Sequence, residues 1–561
     1  MRTNARGEPA APSAAQTLAL FAFALALRLP MLWRHELVEG DGVHYARLAE
    51  QVLRLDWSGL ANPYWSNLWP GVMAAAAWLT GLDVVTAGRV AALLAGAGLA
   101  PVTAWLASRW LGRETGLLSG LLVAGQPWLL LFSTLVFTES LFALLAMGVL
   151  CCASWAEGWR GFAATGLLGG LAVVTRPEGQ AGVLVAVVFV ACRSLDRGRG
   201  VAVGRAALVL ALVGTFVLAR AALVRHYDGP WDFGFGLKGS ANLLVGLAAS
   251  DEERERLATE TTADDESRLS REAEAVSLPA YAWAHPASFG RLLARNATQF
   301  LASATRVLPP LPPEPGRPPV WSGAWPPPVA AWAWTSVGLC CWGWWRSWRR
   351  PGAAPGVALM TAAGGLQLAG LSMTLVHDRL LVSLAPLFAV FLAQAFRELR
   401  ARLWPGLAGA RGLGLALGAQ GLVLAALVWR SGSLDYANEA PVQREAGEWL
   451  RARYSQEVRT VSGSSFVTFY FYDSAHADRE SSLPWTDAGG LLAVARRREA
   501  GLLVLPEWHL RATHHPATVD LLDRPGSVPG LRIAAVLGNE LRGRVFVYEV
   551  DPPPGATEAP P

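Results

Sequence analysis

The stretch TESLFALLAMGVLCCASWAEGWR, residues 138–160, decides the fold. After Glu139 no charged residue follows until Glu157, and the run then closes on Arg160. An apolar segment of that length, near what is needed to cross about 30 Å of hydrocarbon, reads as a membrane-spanning helix. It carries an acid at one end and a base just beyond the other, and that asymmetry can be followed outward through the chain.

Apolar runs of the same kind lie near residues 15–33, 86–108, 115–133, 161–175, 180–193, 205–223, 328–345, 354–376, 379–396 and 408–429. With 139–156 they give about eleven spans. The composition agrees: 52% of the 561 residues are hydrophobic, only 16% are charged, and the mean hydropathy is +0.30. Many long apolar runs mean helices, not a β-barrel. The net charge of +4 is spread through short loops with no basic tail, so no nucleic acid is expected as a partner. The five cysteines fall in or beside the spans and do not suggest a disulfide framework. The first run ends in Arg28-Leu29-Pro30 without a small-residue cleavage pattern, so it is expected to stay as an anchor.

Short cytoplasmic loops are enriched in arginine and lysine. Placing the N-terminus in the cytoplasm puts Arg109 and Arg113, Arg160, the group Arg193, Arg197, Arg199 and Arg205, then Arg346, Arg349 and Arg350, and last Arg397, Arg400 and Arg402 all inside. The expected location is a bacterial inner membrane, with three sizeable segments outside: 34–85, 224–327 and everything after Ser431. The first includes Asn67 to Leu82, apolar but interrupted by Trp69-Pro70-Gly71, which reads as an interfacial helix. The second holds an acidic helical stretch, Asp251 to Glu274, and a proline-rich connector, Pro309 to Pro328.

Two domains are therefore expected: a membrane domain over 1–430 and a small soluble α/β domain over 431–561. In the latter a helical pattern covers Pro441 to Tyr454. Strand-like runs cover Val458 to Val461, Val467 to Tyr472, Gly501 to Leu505 and Arg544 to Val550, and Pro552 to Pro561 is expected to be disordered.

Ionisable residues at the ends of spans are costly unless they serve a purpose. Here Glu39, Asp41 and His44, Glu139, Arg176 and Glu178, and His377, Asp378 and Arg379 all fall at outer ends. A transporter would hold such groups near the bilayer midplane. Acids and arginines at one interface suit a reaction between a membrane-anchored anionic substrate and a second substrate from outside. Arginine recognises phosphate, and a carboxylate takes a proton from an attacking hydroxyl. Each residue also has a plain structural reading. Asp41 could cap a helix beginning near Val43, Glu139 complements a helix dipole, Arg176 could pair with Glu178 across the Pro177 break, and Lys238 could be a solvated loop lysine. Asp41 with His44 offers only two metal ligands, too few for a zinc site. No cofactor is called for, with a divalent metal left open. The Asn296-Ala297-Thr298 sequon carries no weight.

The order of landmarks resembles the GT-C glycosyltransferases, in particular the family 39 group that includes protein O-mannosyltransferases and bacterial aminoarabinose transferases. The matching motifs are Glu39-Gly40-Asp41 after the first span, Thr138-Glu139-Ser140 opening the fourth, and Asp378-Arg379-Leu380-Leu381 leading to Ala385-Pro386. The resemblance implies an inverting transfer from a polyprenyl-phosphate sugar to an envelope acceptor on the periplasmic face, with Asp41 at the position of the base. Glu39 and Glu139 stand beside it, and Arg379, Arg176 and Lys238 are candidates for the donor phosphate. His44, Glu178, His377 and Asp378 would support them. The chain departs from the family where Gly40 separates the two acids and where Leu68-Trp69-Pro70-Gly71 lacks a lysine. A flippase of lipid-linked glycans and a non-catalytic envelope scaffold are the competing readings.

Overall fold

The structure is a computed structural model. It describes residues 11–32, 40–62, 64–227, 278–307, 327–373, 378–403, 409–431, 436–473, 476–484, 486–512, 515–540 and 543–551, together with positions 229, 231, 233 and 243. Glu39, Lys238, His377, the stretch Asp251 to Glu274, most of Pro309 to Pro328 and the terminal Pro552 to Pro561 lie outside the described residues. Of Asp378 only the backbone is described.

The membrane part is all helix. In chain order it has α1 (Ala14–Leu32), α2 (Gly40–Leu53), α3 (Leu68–Thr80), α4 (Val84–Leu111), α5 (Arg113–Ala124), α6 (Pro127–Phe132), α7 (Glu139–Trp155), α8 (Trp159–Thr175), α9 (Gly179–Ser194) and α10 (Arg199–His226). Then follow α11 (Leu278–Ala284), α12 (Pro286–Val307), α13 (Pro327–Trp348), α14 (Ala354–Ser372), α15 (Ala385–Leu403), entered through the short turn Asp378–Leu381, and α16 (Gly409–Ser431). Six helical segments among the described residues are long and apolar enough to cross a membrane by themselves. The helix expected after Asn67 is present as α3. The helix expected to begin near Val43 is α2, which starts earlier, at Gly40; α11 and α12 were not anticipated as elements.

The expected span 115–133 is broken. At about 1.5 Å per residue the 12 residues of α5 reach about 18 Å. Gly125-Gln126 then interrupts the helix, and α6 restarts with Pro127 in its first turn and the Gln126 side chain accepting from Leu129 N–H. Backbone groups released inside an apolar bundle must find internal partners. Arg28, fully buried in α1, supplies them by donating to Ala124 O at 3.0 Å and to Ser133 Oγ at 3.0 Å, and Arg89 of α4 donates to Thr134 O at 3.2 Å. Gln126 Nε2 donates to Val307 O at 2.6 Å, fixing the end of α12 to the break. These bonds hold the unwound segment 133–138 that leads into Glu139 at the start of α7.

Close helix approach depends on small residues, as in other helices packed in lipid. A Cβ on Gly170 of α8 would lie 2.3 Å from the Phe216 ring of α10, and one on Gly343 of α13 would lie 1.9 Å from the Phe391 carbonyl of α15.

After α17 (Tyr436–Arg453) the chain forms β1 (Arg459–Ser462), α18 (Ser465–Phe471), β2 (Glu480–Ser482), α19 (Ala488–Arg497), β3 (Ala500–Pro506), α20 (Glu507–Ala512), β4 (Leu531–Asn539) and β5 (Gly543–Val550). The sheet order is β2-β1-β3-β5-β4, with β1 parallel to both neighbours and β5 antiparallel to β3 and β4. Alternation along the strands divides the core. Leu502, Val504, Val545 and Val547 pack beneath α17 and α18, while Leu503, Leu505, Phe546 and Tyr548 pack on the α19 side. The run Val467 to Tyr472, expected to be a strand, is part of helix α18. Ser464 caps it by accepting from Phe466 N–H at 3.2 Å, and a short aromatic run bears no period of its own that separates strand from helix.

This small domain rests on α2 at one end of the bundle. Phe466 of α18 packs against Val43 of α2, and Arg47 of α2 forms an ion pair with Glu480 at 2.9 Å. Asn296 is buried and donates to Ser372 O at 2.9 Å, so the sequon is part of the packing between α12 and α14.

Candidate active site

Helix α7 starts at Glu139, α8 ends at Thr175, α9 starts at Gly179 and the turn into α15 starts at Asp378. These four ends meet at one face, beneath α2. The sequence groups that recur at outer ends are thereby brought into a single cluster.

Arg379 stands at its centre. Its Nη1 lies 2.7 Å from Asp41 Oδ2, its Nε donates to Glu139 Oε1, and its guanidinium lies over the Phe137 ring at 4.1 Å. Glu139 Oε1 also accepts from Arg176 Nη1 at 2.9 Å. Arg176 continues to Thr138 Oγ1 at 3.1 Å and to Glu178 Oε1 at 3.1 Å. A chain of charge thus runs from Asp41 through Arg379, Glu139 and Arg176 to Glu178. Three carboxylates face two guanidiniums across it.

Exposure separates the members. The side chains of Asp41 and Arg379 are 23% and 22% exposed, whereas Glu139 is 2% exposed. Glu139 Oε2 is buried with no hydrogen-bond partner among the described residues. The three nitrogens of the Arg176 guanidinium group all have described partners: Nε and Nη2 on Glu178, Nη1 on Glu139 and Thr138. The more exposed part of the cluster is the Asp41–Arg379 pair, and the buried part packs behind it. Asp41 lies inside the first turn of α2, which begins at Gly40, so it is not the residue before the helix.

His44, one turn along α2, stacks on Trp65 with ring centroids 4.9 Å apart. Among the described residues no group of three His, Cys, Asp or Glu side chains is placed to hold a metal ion. Tyr45 and Tyr64 border the pair. Burial first, and the neighbouring Asp41 charge second, push both phenols above their ordinary range, so each stays a protonated donor at neutral pH.

Several supporting residues escaped the sequence reading. Arg28 in Leu25-Ala26-Leu27-Arg28 is an arginine within an apolar span, which is itself a signal of purpose. Arg47 offers no such signal, because its partner Glu480 lies 433 positions away. Arg220 of α10 donates from Nε to Asn67 Oδ1 at 2.6 Å and so ties the α2–α3 loop to the bundle.

No family profile matches the sequence, and no curated protein matches it by sequence. The fold does find counterparts. AglB, an archaeal oligosaccharyltransferase from Archaeoglobus fulgidus solved with an inhibitory peptide and a dolichol-phosphate, superimposes with a TM-score of 0.56 at 13% identity, covering 92% of this chain and 72% of that one. The same enzyme solved with Zn and sulfate gives 0.58 at 12% identity, over 96% and 73%. ArnT from Cupriavidus metallidurans, solved bound to undecaprenyl phosphate, gives 0.55 at 13% identity over 96% of this chain and 98% of that one. The chain is similar to all three along most of its length, and its fold is the GT-C fold.

Proposed function

We propose that the protein is a membrane glycosyltransferase that moves a sugar from a polyprenyl-phosphate donor to an acceptor hydroxyl on the periplasmic face, with inversion. The observation that carries this reading is the Arg379 guanidinium held between Asp41 and Glu139 at the mouth of the bundle. The likeness in fold to ArnT, which was solved with undecaprenyl phosphate, supports the donor class.

The donor lipid enters from the bilayer and its phosphate meets Arg379. The phosphate competes with Asp41 for the guanidinium, so donor binding releases the Asp41 carboxylate toward the acceptor. The acceptor oxygen then attacks the anomeric carbon, the bond from that carbon to the phosphate oxygen breaks, and Asp41 takes the hydroxyl proton. Polyprenyl phosphate leaves with its charge on Arg379. Glu139, buried and shared by both arginines, acts as the fixed point that aims Arg379, and Arg176 with Glu178 braces Glu139. Glu39, Lys238, His377 and Asp378 belong to the same outer rim by sequence. In this reading the N-terminus is cytoplasmic, the membrane domain of about eleven spans covers residues 1–430, and the domain over 431–561 is periplasmic and shapes the acceptor side.

The test is a lipid extract from cells carrying wild type, a deletion, or Asp41→Asn at matched membrane abundance. Accumulation of a polyprenyl-monophosphate sugar in both mutants is the expected result, and its mass identifies the sugar. No difference among the three would sink the proposal.

A further inference from the structure

The opposite face of the bundle carries a second arginine cluster that the reaction does not use. Helix α9 has Arg176 and Glu178 just before its first residue and Arg193 near its last. Its 16 residues separate the two faces by about 24 Å. Helix α7 does the same, with Glu139 at its start and Ala153 and Ser154 at its end.

At this second face the ends of α7, α8, α9 and α10 enclose a cavity of about 70 Å³, whose lining includes Glu157, Phe162, Arg193, Ser194, Arg197 and Arg205. That is several times the roughly 10–15 Å³ a single water requires. Each arginine is held by one nitrogen only. Arg193 Nη1 donates to Ser154 O at 2.8 Å, Arg197 Nη1 to Glu157 O at 3.4 Å, and Arg205 Nη1 to Ser194 Oγ at 3.1 Å. Arg205 also lies over the Phe162 ring at 4.8 Å. The Nε and Nη2 donors of all three have no described partner, and none of the three forms an ion pair among the described residues. Glu157 is exposed and pairs with none of them. The contrast with Arg176, whose three nitrogens all meet described partners, is sharp.

Exposed apolar side chains stand close in sequence to the residues that line the cavity. Trp159, Leu195 and Val203 at the adjoining helix ends are 69%, 55% and 68% exposed. Three guanidiniums in a recess suit a phosphodiester, and exposed apolar side chains near a recess at the ends of membrane helices suit acyl chains. Basic pockets between spanning helices are where anionic lipid headgroups settle. We propose that this cavity is a binding site for the phosphate headgroup of an anionic phospholipid, on the face opposite the Asp41–Arg379 pair.

Native mass spectrometry of the full-length protein, titrated with phosphatidylglycerol or phosphatidylcholine, tests it. Wild type retains phosphatidylglycerol at about tenfold lower concentration than phosphatidylcholine. Arg197→Gln with Arg205→Gln abolishes that preference, while Arg160→Gln, an exposed arginine on the same face outside the cavity, leaves it intact. Should the double variant not fold, Arg197→Gln alone, which loses one long bond, lowers the preference about fivefold. Equal preference in wild type and Arg197→Gln overturns the proposal. So does displacement of the lipid by inorganic phosphate at equal concentration, which would make the cavity a site for free anions.

Discussion

Two ion-pair networks bind the ends of this bundle, and they are built differently. At the face of the proposed site Asp41, Glu139 and Glu178 meet Arg176 and Arg379, and the cluster has a buried half and a partly exposed half. At the opposite face Glu114 and Glu398 meet Arg400, Arg346 and Arg397 at 2.7, 3.1 and 2.8 Å, all partly exposed. There Arg397 also donates to Leu111 O at 3.0 Å and to Thr115 Oγ1 at 3.1 Å, and Arg350 donates to the same Leu111 carbonyl. Leu111 is the last residue of α4, so those arginines satisfy orphan carbonyls at a helix C-terminus and complement its dipole. The second network is a clamp on the α4–α5 turn. The first uses the same charges around a buried glutamate, Glu139, shared by two arginines, whereas every member of the second is 15–30% exposed.

The comparison can be broken most forcefully at Asp41. Asp41→Asn keeps the side-chain shape and removes the proposed base, and is expected to lower transfer by about 10²–10⁴-fold with the melting temperature nearly unchanged. A steady-state assay on the purified protein, once the acceptor is known, reads the first quantity and a thermal melt the second. Activity within a factor of two of wild type would return Asp41 to a structural role. Glu139→Gln comes next and acts on stability. Removing its charge leaves two arginines facing a neutral amide in a buried site, where breaking a pair costs about 3–5 kcal/mol, so both melting temperature and activity are expected to fall. Glu398→Gln, at the other face and 20% exposed, is expected to cost about 1 kcal/mol or less and leave activity intact. Equal losses from the two glutamates would erase the distinction between the networks.

Much of this was legible in the sequence, for a physical reason. A span must be apolar for about 20 residues, so helices such as α7, α8 and α9 are visible as runs, and the polar residues at their ends are visible because they are exceptions. Asp41, Glu139, Arg176 and Arg379 were identifiable on that ground alone. The pairings were not. Glu139 holding Arg379 is a contact across 240 positions, and nothing local distinguishes an arginine fully matched by partners, such as Arg176, from one left partly open. The break at Gln126 was hidden because α5 and α6 together have the length of one span. In the soluble domain the signal was weaker still. β4, with Arg532, Ala534 and Ala535 among its residues, lacks the apolar alternation that marks β3 and β5, and the aromatic run of α18 reads equally as strand.

That soluble domain also differs from the bundle in how it should respond to pH. His515 is buried, and burial lowers its pKa below the ordinary value. Its Nδ1 accepts from Ala517 N–H at 3.2 Å, so the ring proton sits on Nε2, which donates to Pro484 O at 3.1 Å. A second proton would have to enter at Nδ1 and would break the first bond. The unfolded chain therefore binds that proton more readily than the folded one, and stability rises with pH in this region. The contribution is present above the unfolded value near 6.5 and is lost as pH falls through the folded one. The expected outcome is a domain that melts earlier at pH 5.5 than at 7.5, with the difference reduced in His515→Gln, whose amide can donate to Pro484 O without titrating. Arg379 and Arg176 stay charged through that range, so a melt that follows the membrane helices should move less than one that follows the sheet. An equal shift in both would mean that the Arg47–Glu480 contact couples the two regions into one unfolding unit.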